Sequence, residues 1–140
     1  MIIKTIVMEY MVFIAGNCPS SKNSRVRTRS GAMIMSKTCQ NYMKKYGDQW
    51  KTIPDKFKEL QPEDFPISVG FHFVRDSKRR WDFGNICQMA TDQMVKNGWI
   101  PDDSMDYLIP YCLWVDGKHY SYDKENPGVQ LEIIRYFNAK

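Results

Sequence analysis

The segment KRRWDFGNICQMATDQMVKNGWIPDD, residues 78–103, decides how the rest of this chain is interpreted. Three cations lead into Asp82, a helical pattern follows, and two adjacent aspartates close the segment. Ile86, Met89 and Met94 recur at the spacing of one helix face, which predicts that this face packs against a core. The segment therefore predicts one amphipathic helix with a carboxylate at its start and two more after its end.

The opposite face of this helix carries polar side chains. Asn85, Gln88 and Asp92 stand at positions i, i+3 and i+7, and Asp82 lies one turn before the first of them. As an N-cap, Asp82 accepts hydrogen bonds from free backbone N–H groups of the first turn, which stabilises a helix by about 1 kcal/mol. The other interpretation is a metal site beside a phosphate-binding surface. It requires the chain after the helix to return towards Asp82.

Composition indicates one globular domain that spans residues 1–140. The apolar fraction is 43% and the aromatic fraction is 14%, enough to form a core. Residues 1–80 carry 15 Lys/Arg and 7 Asp/Glu, a net charge of +8, whereas residues 81–140 carry 5 and 9, a net charge of −4. This asymmetry indicates a polyanion-binding surface next to a carboxylate cluster, with two ordinary solvated faces as the alternative.

The spacing of the cysteines and the apolar segment at residues 1–16 indicate the cellular compartment of the protein. The four cysteines are scattered without a CxxC pair, which predicts reduced thiols in a cytoplasmic protein. The apolar opening MIIKTIVMEYMVFIAG is interrupted by Glu9 before it reaches the length of a membrane span. We therefore expect a strand here and no membrane partner.

The remaining pattern predicts strands and a second helix. Residues 5–17 are nearly continuously apolar and predict a central strand that ends near Gly16. Residues 18–31 are polar, basic and rich in turn formers, which predicts a loop. Ser36 is expected to cap a helix whose apolar stripe ends at Pro54, and residues 55–66 are expected to form a connector.

Three further strands are predicted in the second half of the chain. Residues 67–73 alternate between apolar and small or polar side chains, which is typical of a half-buried strand. Residues 107–115 and 129–137 predict two more, with Asp116-Gly117 as a turn signal between them. Strands and two main helices without regular βαβ alternation predict an α+β domain with a mixed sheet.

The stretch DFGNICQMATDQMVKNGWIPDD resembles the signature of the RusA-type Holliday junction resolvases, endodeoxyribonucleases of phages and bacteria. Their pattern is roughly D-x-D-N-x-x-K, then a helix that ends in x-x-G, an apolar step and D-D. Upstream, PSSKNSR at residues 19–25 is similar to the family's P-x-S-x-N-x-x-R. The resemblance covers most of the chain in the same order and implies a single RusA-like domain.

The resemblance implies a homodimer that recognises branched DNA such as a four-way junction. It implies Mg²⁺-dependent hydrolysis of phosphodiester bonds, and Mg²⁺ prefers hard oxygen ligands. A two-fold dimer matches the approximate two-fold symmetry of a junction. Carried over by position, Asp82 and Asp103 would be catalytic, and Asp82, Asp102 and Asp103 would hold the metal. Asn85 and Gln88 would support them.

Two positions depart from the family pattern. Gly84 stands where the family usually has a second aspartate, and Gln88 stands where it has a lysine. Losing an electrostatic contact of the lysine type can raise a reaction barrier by roughly 3–4 kcal/mol. The alternative is therefore a junction-binding protein with weakened or lost catalysis. A third class, carboxylates that hydrolyse a neutral glycoside, is disfavoured by the basic half of the chain.

Two basic groups are candidates for binding phosphates. Four of their members lie in the predicted flexible loop and three directly precede Asp82. Trp81, between the second group and Asp82, is expected either to stack on a base or to fill the core. The alternative for the loop is ordinary solvation. The candidate cations are Lys22, Arg25, Arg27, Arg29, Lys78, Arg79 and Arg80.

Overall fold

A mixed five-stranded sheet, a separate two-stranded hairpin and three helices make up the computed structural model, which describes residues 4–22 and 25–138. Short 3-10 turns cover Gly47–Lys51 and Pro62–Asp64. The strands are β1 (Lys4–Ala15), β2 (Arg25–Arg27), β3 (Met33–Met35), β4 (Ile67–Arg75), β5 (Leu108–Cys112), β6 (Ser121–Tyr122) and β7 (Gly128–Asn138). The helices are α1 (Lys37–Tyr46), α2 (Asp55–Lys58) and α3 (Phe83–Lys96).

The sheet has the strand order β1-β7-β4-β5, and β6 also pairs with β4. β7 is antiparallel to both β1 and β4, whereas β5 and β6 are parallel to β4. α3 connects β4 to β5, as a parallel pair requires a crossover connection. The predicted α+β domain with a mixed sheet is confirmed. Among the described residues, none of the helices combines the length and the apolar character that a membrane span requires.

β4 is buried on both faces, so the prediction of a half-buried strand was wrong. Phe71 and Phe73 belong to the core cluster on one face. On the other face, the ring of Tyr111 covers Gly70 so closely that a Cβ there would lie 2.6 Å from it. His72 is fixed by its two ring nitrogens, each 2.8 Å from an oxygen, the carbonyl of Leu113 and the hydroxyl of Ser121. The small and polar residues of β4 therefore accommodate a second covering layer.

β1 lies at the edge of the sheet, although its sequence predicted a central strand. Among the strands that the structure describes, it pairs with β7 alone. Ile14 is buried and Val12 packs against the core, but Met11 and Phe13 are 43% and 48% exposed. Apolar side chains on both faces are typical of central strands, yet they report apolar character and not pairing partners.

The basic segment forms a hairpin, where the sequence predicted a loop. β2 and β3 pair antiparallel, with Arg25 opposite Met35 and Arg27 opposite Met33. The polar composition of β2 hides this pairing, because the partner strand comes from the separate apolar run that follows the turn. Asn23 and Ser24 of the upstream motif lie outside the described residues.

The predicted caps and turns are largely confirmed. The hydroxyl of Ser36 accepts the N–H of Cys39 at 3.3 Å and starts α1. α1 ends at Tyr46, earlier than the predicted stop, and the apolar stripe continues through a 3-10 turn. The expected turn signal at Asp116-Gly117 is also correct, since both residues have positive φ between the bridged Val115 and Lys118.

α3 matches its prediction closely. It begins after Asp82, and Ile86, Met89 and Met94 are all buried. Gly98 then adopts a φ of +80°, which a residue with a side chain rarely adopts, and ends the helix.

Trp50 joins the first helical region to the segment after α3. It is fully buried, and its indole N–H donates to the hydroxyl of Tyr42 at 2.9 Å. Its carbonyl accepts the indole N–H of Trp99 at 2.6 Å, and the two indole rings lie 5.2 Å apart. Trp50 thus contributes both packing and hydrogen bonds to the core.

Replacing Trp50 with Ala should lower the free energy of unfolding by about 3–5 kcal/mol, because a large cavity forms and Tyr42 loses its donor. Urea denaturation followed by circular dichroism measures this change. Trp114→Ala is the matched control, since Trp114 is 63% exposed, and it should stay within about 0.5 kcal/mol of the parent. Equal losses for the two variants would contradict the assignment of Trp50 to the core.

Candidate nucleic-acid and metal site at the start of α3

Asp82 caps α3, as the sequence predicted. Its carboxylate oxygen Oδ1 accepts the backbone N–H of Gly84 at 2.9 Å, and the residue is exposed. A Cβ built on Gly84 would lie 3.3 Å from the same oxygen. Position 84 therefore adjoins the Asp82 carboxylate, which is where the RusA-type pattern has its additional aspartate.

The segment after α3 returns along the helix and brings Asp103 to it. Trp99 and Ile100 are buried and anchor the start of this return. The side-chain amide of Gln88 donates to Asp92 at 2.7 Å and makes a longer contact of 3.4 Å with Asp103. Gln88 thus links a carboxylate on α3 to one that follows the helix by several residues.

A small hollow lies between α3, the returning segment and β5, and Gly84, Gln88 and Asp103 line it. We call it the acidic hollow; its volume is about 170 Å³. It contains Asp103 and both positions that depart from the RusA-type pattern, and Asp82 adjoins it through Gly84. Asp102 is exposed and lies outside the lining. The lining residues are Phe83, Gly84, Cys87, Gln88, Thr91, Asp103, Leu108 and Pro110.

Two exposed carboxylates, Asp103 in the lining and Asp82 beside Gly84, are the oxygen donors at this hollow. Among the described residues, no three His, Cys, Asp or Glu side chains lie close enough together to hold a metal ion. Asp82 and Asp103 each show one oxygen in a hydrogen bond, and a carboxylate has further lone pairs. Mg²⁺ in enzymes that act on phosphates commonly uses one or two carboxylates, waters and the substrate itself. The number of carboxylates at this hollow is within the range that such sites use.

A second hollow of about 290 Å³ lies on the other side of Phe83. We call it the basic-aromatic hollow. Its three cations are exposed, and within the described part of the chain none of them forms an ion pair. Phe83 lines both hollows, so the two adjoin at the first turn of α3. The lining residues are Lys78, Arg79, Arg80, Trp81, Phe83, Cys112, His119 and Tyr120.

Trp81 packs against the core, as one interpretation of its sequence position predicted, and its stacking on a base stays a prediction. Its ring packs edge-on against Phe73, with centroids 5.7 Å apart, and it also borders the basic-aromatic hollow. The guanidinium of Arg75 lies 5.3 Å from the centre of the Trp81 ring and donates to the carbonyl of Cys18 at 2.7 Å. Burial lowers the pKa of Arg75. Arg75 therefore connects Trp81 to the segment that follows β1.

Sequence reasoning missed two members of this second hollow. His119 and Tyr120 come from the segment before β6, about forty residues after the basic cluster. No spacing signal in the sequence links them to it. Only the pairing of β6 with β4 brings that segment beside the end of β4.

The cations of the hairpin lie farther along α3. Arg25 shares a hollow of about 300 Å³ with Asp92 and Lys96, whereas Arg27 donates to the carbonyl of Gly31 within the hairpin turn. Arg29 and Lys22 are exposed. The N–H of Ser21 donates to the carbonyl of Asn85 at 3.0 Å, which fixes the start of this basic segment to the first turns of α3.

Cys18 and Cys87 are poor nucleophiles. All four are free, and Cys18, Cys39 and Cys87 are buried. Burial raises the pKa of Cys18 to about 11 and that of Cys87 to about 12. Both thiols are therefore protonated at neutral pH, and the protonated thiol is a poor nucleophile.

No protein-family model matches this chain, and a comparison with curated proteins finds no match. The resemblance to RusA-type resolvases rests on the residue pattern and stays a prediction.

The cap can be tested apart from any activity. Asp82→Ala should lower the free energy of unfolding by about 1 kcal/mol, whereas Asp82→Asn should change it by only a few tenths, because Asn caps helices about as well as Asp. Chemical denaturation measures both. Asp102→Ala, at an exposed position outside the hollow, is the control and should be neutral. If Asp82→Ala is as stable as the parent, the hydrogen bond to Gly84 does not stabilise α3.

Proposed function

We propose that this chain is a RusA-like, Mg²⁺-dependent endodeoxyribonuclease that resolves Holliday junctions and other branched DNA by hydrolysing phosphodiester bonds. The supporting observation is the adjacency of two hollows that share Phe83, one lined by three cations and one lined by Asp103 and bordered by Asp82 at Gly84. A DNA strand requires cations along its backbone, and a metal-assisted hydrolytic centre requires oxygen ligands beside the scissile phosphate. The chain offers both at one helix start.

Each group has a defined task in this proposal. Lys78, Arg79 and Arg80 attract the backbone and hold a phosphate outside the first turn of α3. The strand then continues towards the acidic hollow, which shares Phe83 with the basic-aromatic hollow. Asp82 and Asp103 are the proposed ligands of Mg²⁺; Asp102, the third aspartate of the family pattern, is exposed and lies outside the hollow. When bound, the ion activates a water molecule and neutralises charge on the scissile phosphate.

The proposed assembly is a homodimer. A four-way junction has approximate two-fold symmetry, so two copies of the site related by a two-fold axis can reach symmetric strands. This part of the proposal rests on the family resemblance and on the symmetry of the substrate.

A specific observation favours a second candidate, a junction-binding protein with weakened or lost catalysis. The neutral amide of Gln88 occupies the position of the family's lysine and contacts both Asp92 and Asp103. Gly84 adds no carboxylate beside Asp82. The centre thus lacks one ligand and one cation of the family pattern. A glycoside is a poorer substrate in either case, because three exposed cations beside the carboxylates suit an anion.

If Asp82 and Asp103 hold the metal ion, replacing either one should stop DNA cleavage without weakening DNA binding. Asp82→Asn and Asp103→Asn should each abolish Mg²⁺-dependent cleavage of a synthetic four-way junction, because each removes a metal ligand. Binding should persist or tighten, since a negative charge that faces phosphate is lost. Gel assays with Mg²⁺ or EDTA measure cleavage, and fluorescence anisotropy in EDTA measures binding. Asp106→Asn, at an exposed site outside both hollows, is the matched control and should cut like the parent.

The same assay separates the two candidates. Gly84→Asp combined with Gln88→Lys restores the family pattern at positions that both line the acidic hollow. On the endonuclease proposal this variant should cut faster than the parent or require less Mg²⁺. Cleavage by the parent that survives Asp82→Asn would show that the carboxylates are structural. Tight binding without cleavage by both the parent and the restored variant would favour the binding protein.

The basic hairpin predicts a salt dependence. Replacing Arg25, Arg27 and Arg29 with Ala should weaken junction binding and reduce the slope of log affinity against log salt by up to about three units. Anisotropy titrations at several salt concentrations give this slope. The control variant replaces three exposed lysines elsewhere on the surface with Ala. If the slope of the arginine variant equals that of the parent, the hairpin is not part of the DNA interface. The control positions are Lys44, Lys58 and Lys124.

A further inference from the structure

Ring side chains form a continuous wall in the basic-aromatic hollow. Tyr120 lies edge-on to Trp81, with centroids 5.2 Å apart, and edge-on to His119 at 5.0 Å. Phe83 extends this wall on the far side of Trp81, at 6.4 Å. These rings come from the start of α3 and from the segment before β6, so the fold and not the local sequence assembles them.

Contacts with β4 and with Cys112 fix the position of this ring wall. Trp81 packs against Phe73, which is fully buried in β4. The thiol of Cys112 donates to the carbonyl of His119 at 3.1 Å and fixes the segment that carries Tyr120. A ring wall that is held in place before a ligand arrives loses little conformational freedom on binding.

The hollow combines this wall with Lys78, Arg79 and Arg80, which are exposed and without a carboxylate partner among the described residues. Tyr120 stands at 76° to Trp81, so the two rings form an angled cleft beside these cations. Aromatic rings beside cations that have no carboxylate partner match a ligand that has both an aromatic ring and a phosphate. Bases stack on aromatic side chains without regard to sequence, and cations hold the backbone. The volume of about 290 Å³ lies just below the range of ligand sites, which is roughly 300–1,000 Å³.

We propose that the basic-aromatic hollow holds one unstacked nucleotide of a DNA strand, with its base against Trp81 and Tyr120 and its phosphate on the adjacent cations. This inference rests on the proposed function only for the identity of the polymer, and it adds a recognition element to it. A base inside a duplex is stacked on its neighbours and does not reach the wall. The hollow therefore selects strands with an unpaired nucleotide, such as those at a branch point.

The basic-aromatic hollow adjoins the acidic hollow, so a nucleotide bound in it would position the rest of the strand. Because Phe83 lines both hollows, a strand whose unpaired nucleotide is held on one side continues towards the acidic hollow on the other. Holding that nucleotide fixes which phosphate of the strand reaches Asp82 and Asp103. Positioning of this kind lowers the entropic cost of reaching a reactive geometry.

Tyr120→Leu tests the ring wall, because it keeps apolar bulk against Trp81 and removes the aromatic face. The probes are a fluorescein-labelled single-stranded oligothymidine and a blunt duplex, each measured by anisotropy in EDTA. We expect affinity for the single strand to fall by about ten-fold, the order of one lost base stack, while affinity for the duplex stays unchanged. Tyr120→Phe keeps the ring and should restore single-strand binding to the parent level, which separates stacking from a folding defect.

Two controls sharpen the test. Phe13→Leu removes an exposed ring on β1, away from the hollow, and should leave single-strand affinity unchanged. Arg79→Ala with Arg80→Ala should lower the single-strand salt slope by about 1.4 units if both cations contact phosphates, whereas Lys44→Ala with Lys45→Ala on α1 should not.

The outcomes distinguish this inference from the proposed function. Single-strand binding that is equal in the parent, Tyr120→Leu and Tyr120→Phe would overturn the nucleotide hollow and leave DNA binding intact. Failure of the parent to bind single strand, duplex and junction would overturn both. A free nucleotide has the same base and phosphate, and thymidine monophosphate is the probe for it. If it competes with the oligonucleotide at concentrations near the Kd of the oligonucleotide, the assignment to a strand is overturned. If it does not compete at a hundred-fold higher concentration, the assignment is supported.

Discussion

The parallel pairing of β4 with β5 is the constraint on which the rest of this structure depends. Ile67 stands opposite Leu108 and Phe71 opposite Cys112, so the two strands run in the same direction over five residue pairs. A parallel pair cannot be closed by a tight turn, and the chain must return to the start of the sheet before β5 begins. α3 and the segment after it make this return. Their path brings Asp103 back to Gln88.

Core packing and the candidate site share the same side chains. Phe73 of β4 contacts the rings of both Trp81 and Phe83, and these two residues flank Asp82. The cap of α3 is therefore placed by packing on its two sides, while its carboxylate stays exposed. Sites on regular elements that are supported by packed neighbours hold their geometry better than sites on loops. This support is independent of which chemistry the carboxylates perform.

The charges at the start of α3 are consistent with the anionic partner that we propose. The cations that precede α3 and the carboxylates beside its first turns adjoin but do not form ion pairs with each other among the described residues. An unpaired cation retains its full attraction for phosphate, and an unpaired carboxylate retains its attraction for a divalent ion. The positive first half of the chain and the negative second half thus meet at one helix start.

The local sequence determined the elements that depend on a repeating apolar pattern or on a particular residue type at a cap or turn. The apolar face of α3, its Asp82 cap, its stop at Gly98 and the turn at Asp116 are all present where the pattern indicated them, because each depends on neighbours within a few residues. The cations before α3 and the aspartates after it were also visible, as residue types at fixed distances.

Only the tertiary structure decided which of these groups meet. It placed β1 at an edge, paired the basic segment into a hairpin, and covered the second face of β4. It also joined Tyr120 to Trp81 across about forty residues and linked Asp92 to Asp103 through Gln88. A pattern of apolar and polar side chains reports that a face is buried, but strand pairing and the path of a returning segment depend on partners that are remote in the chain.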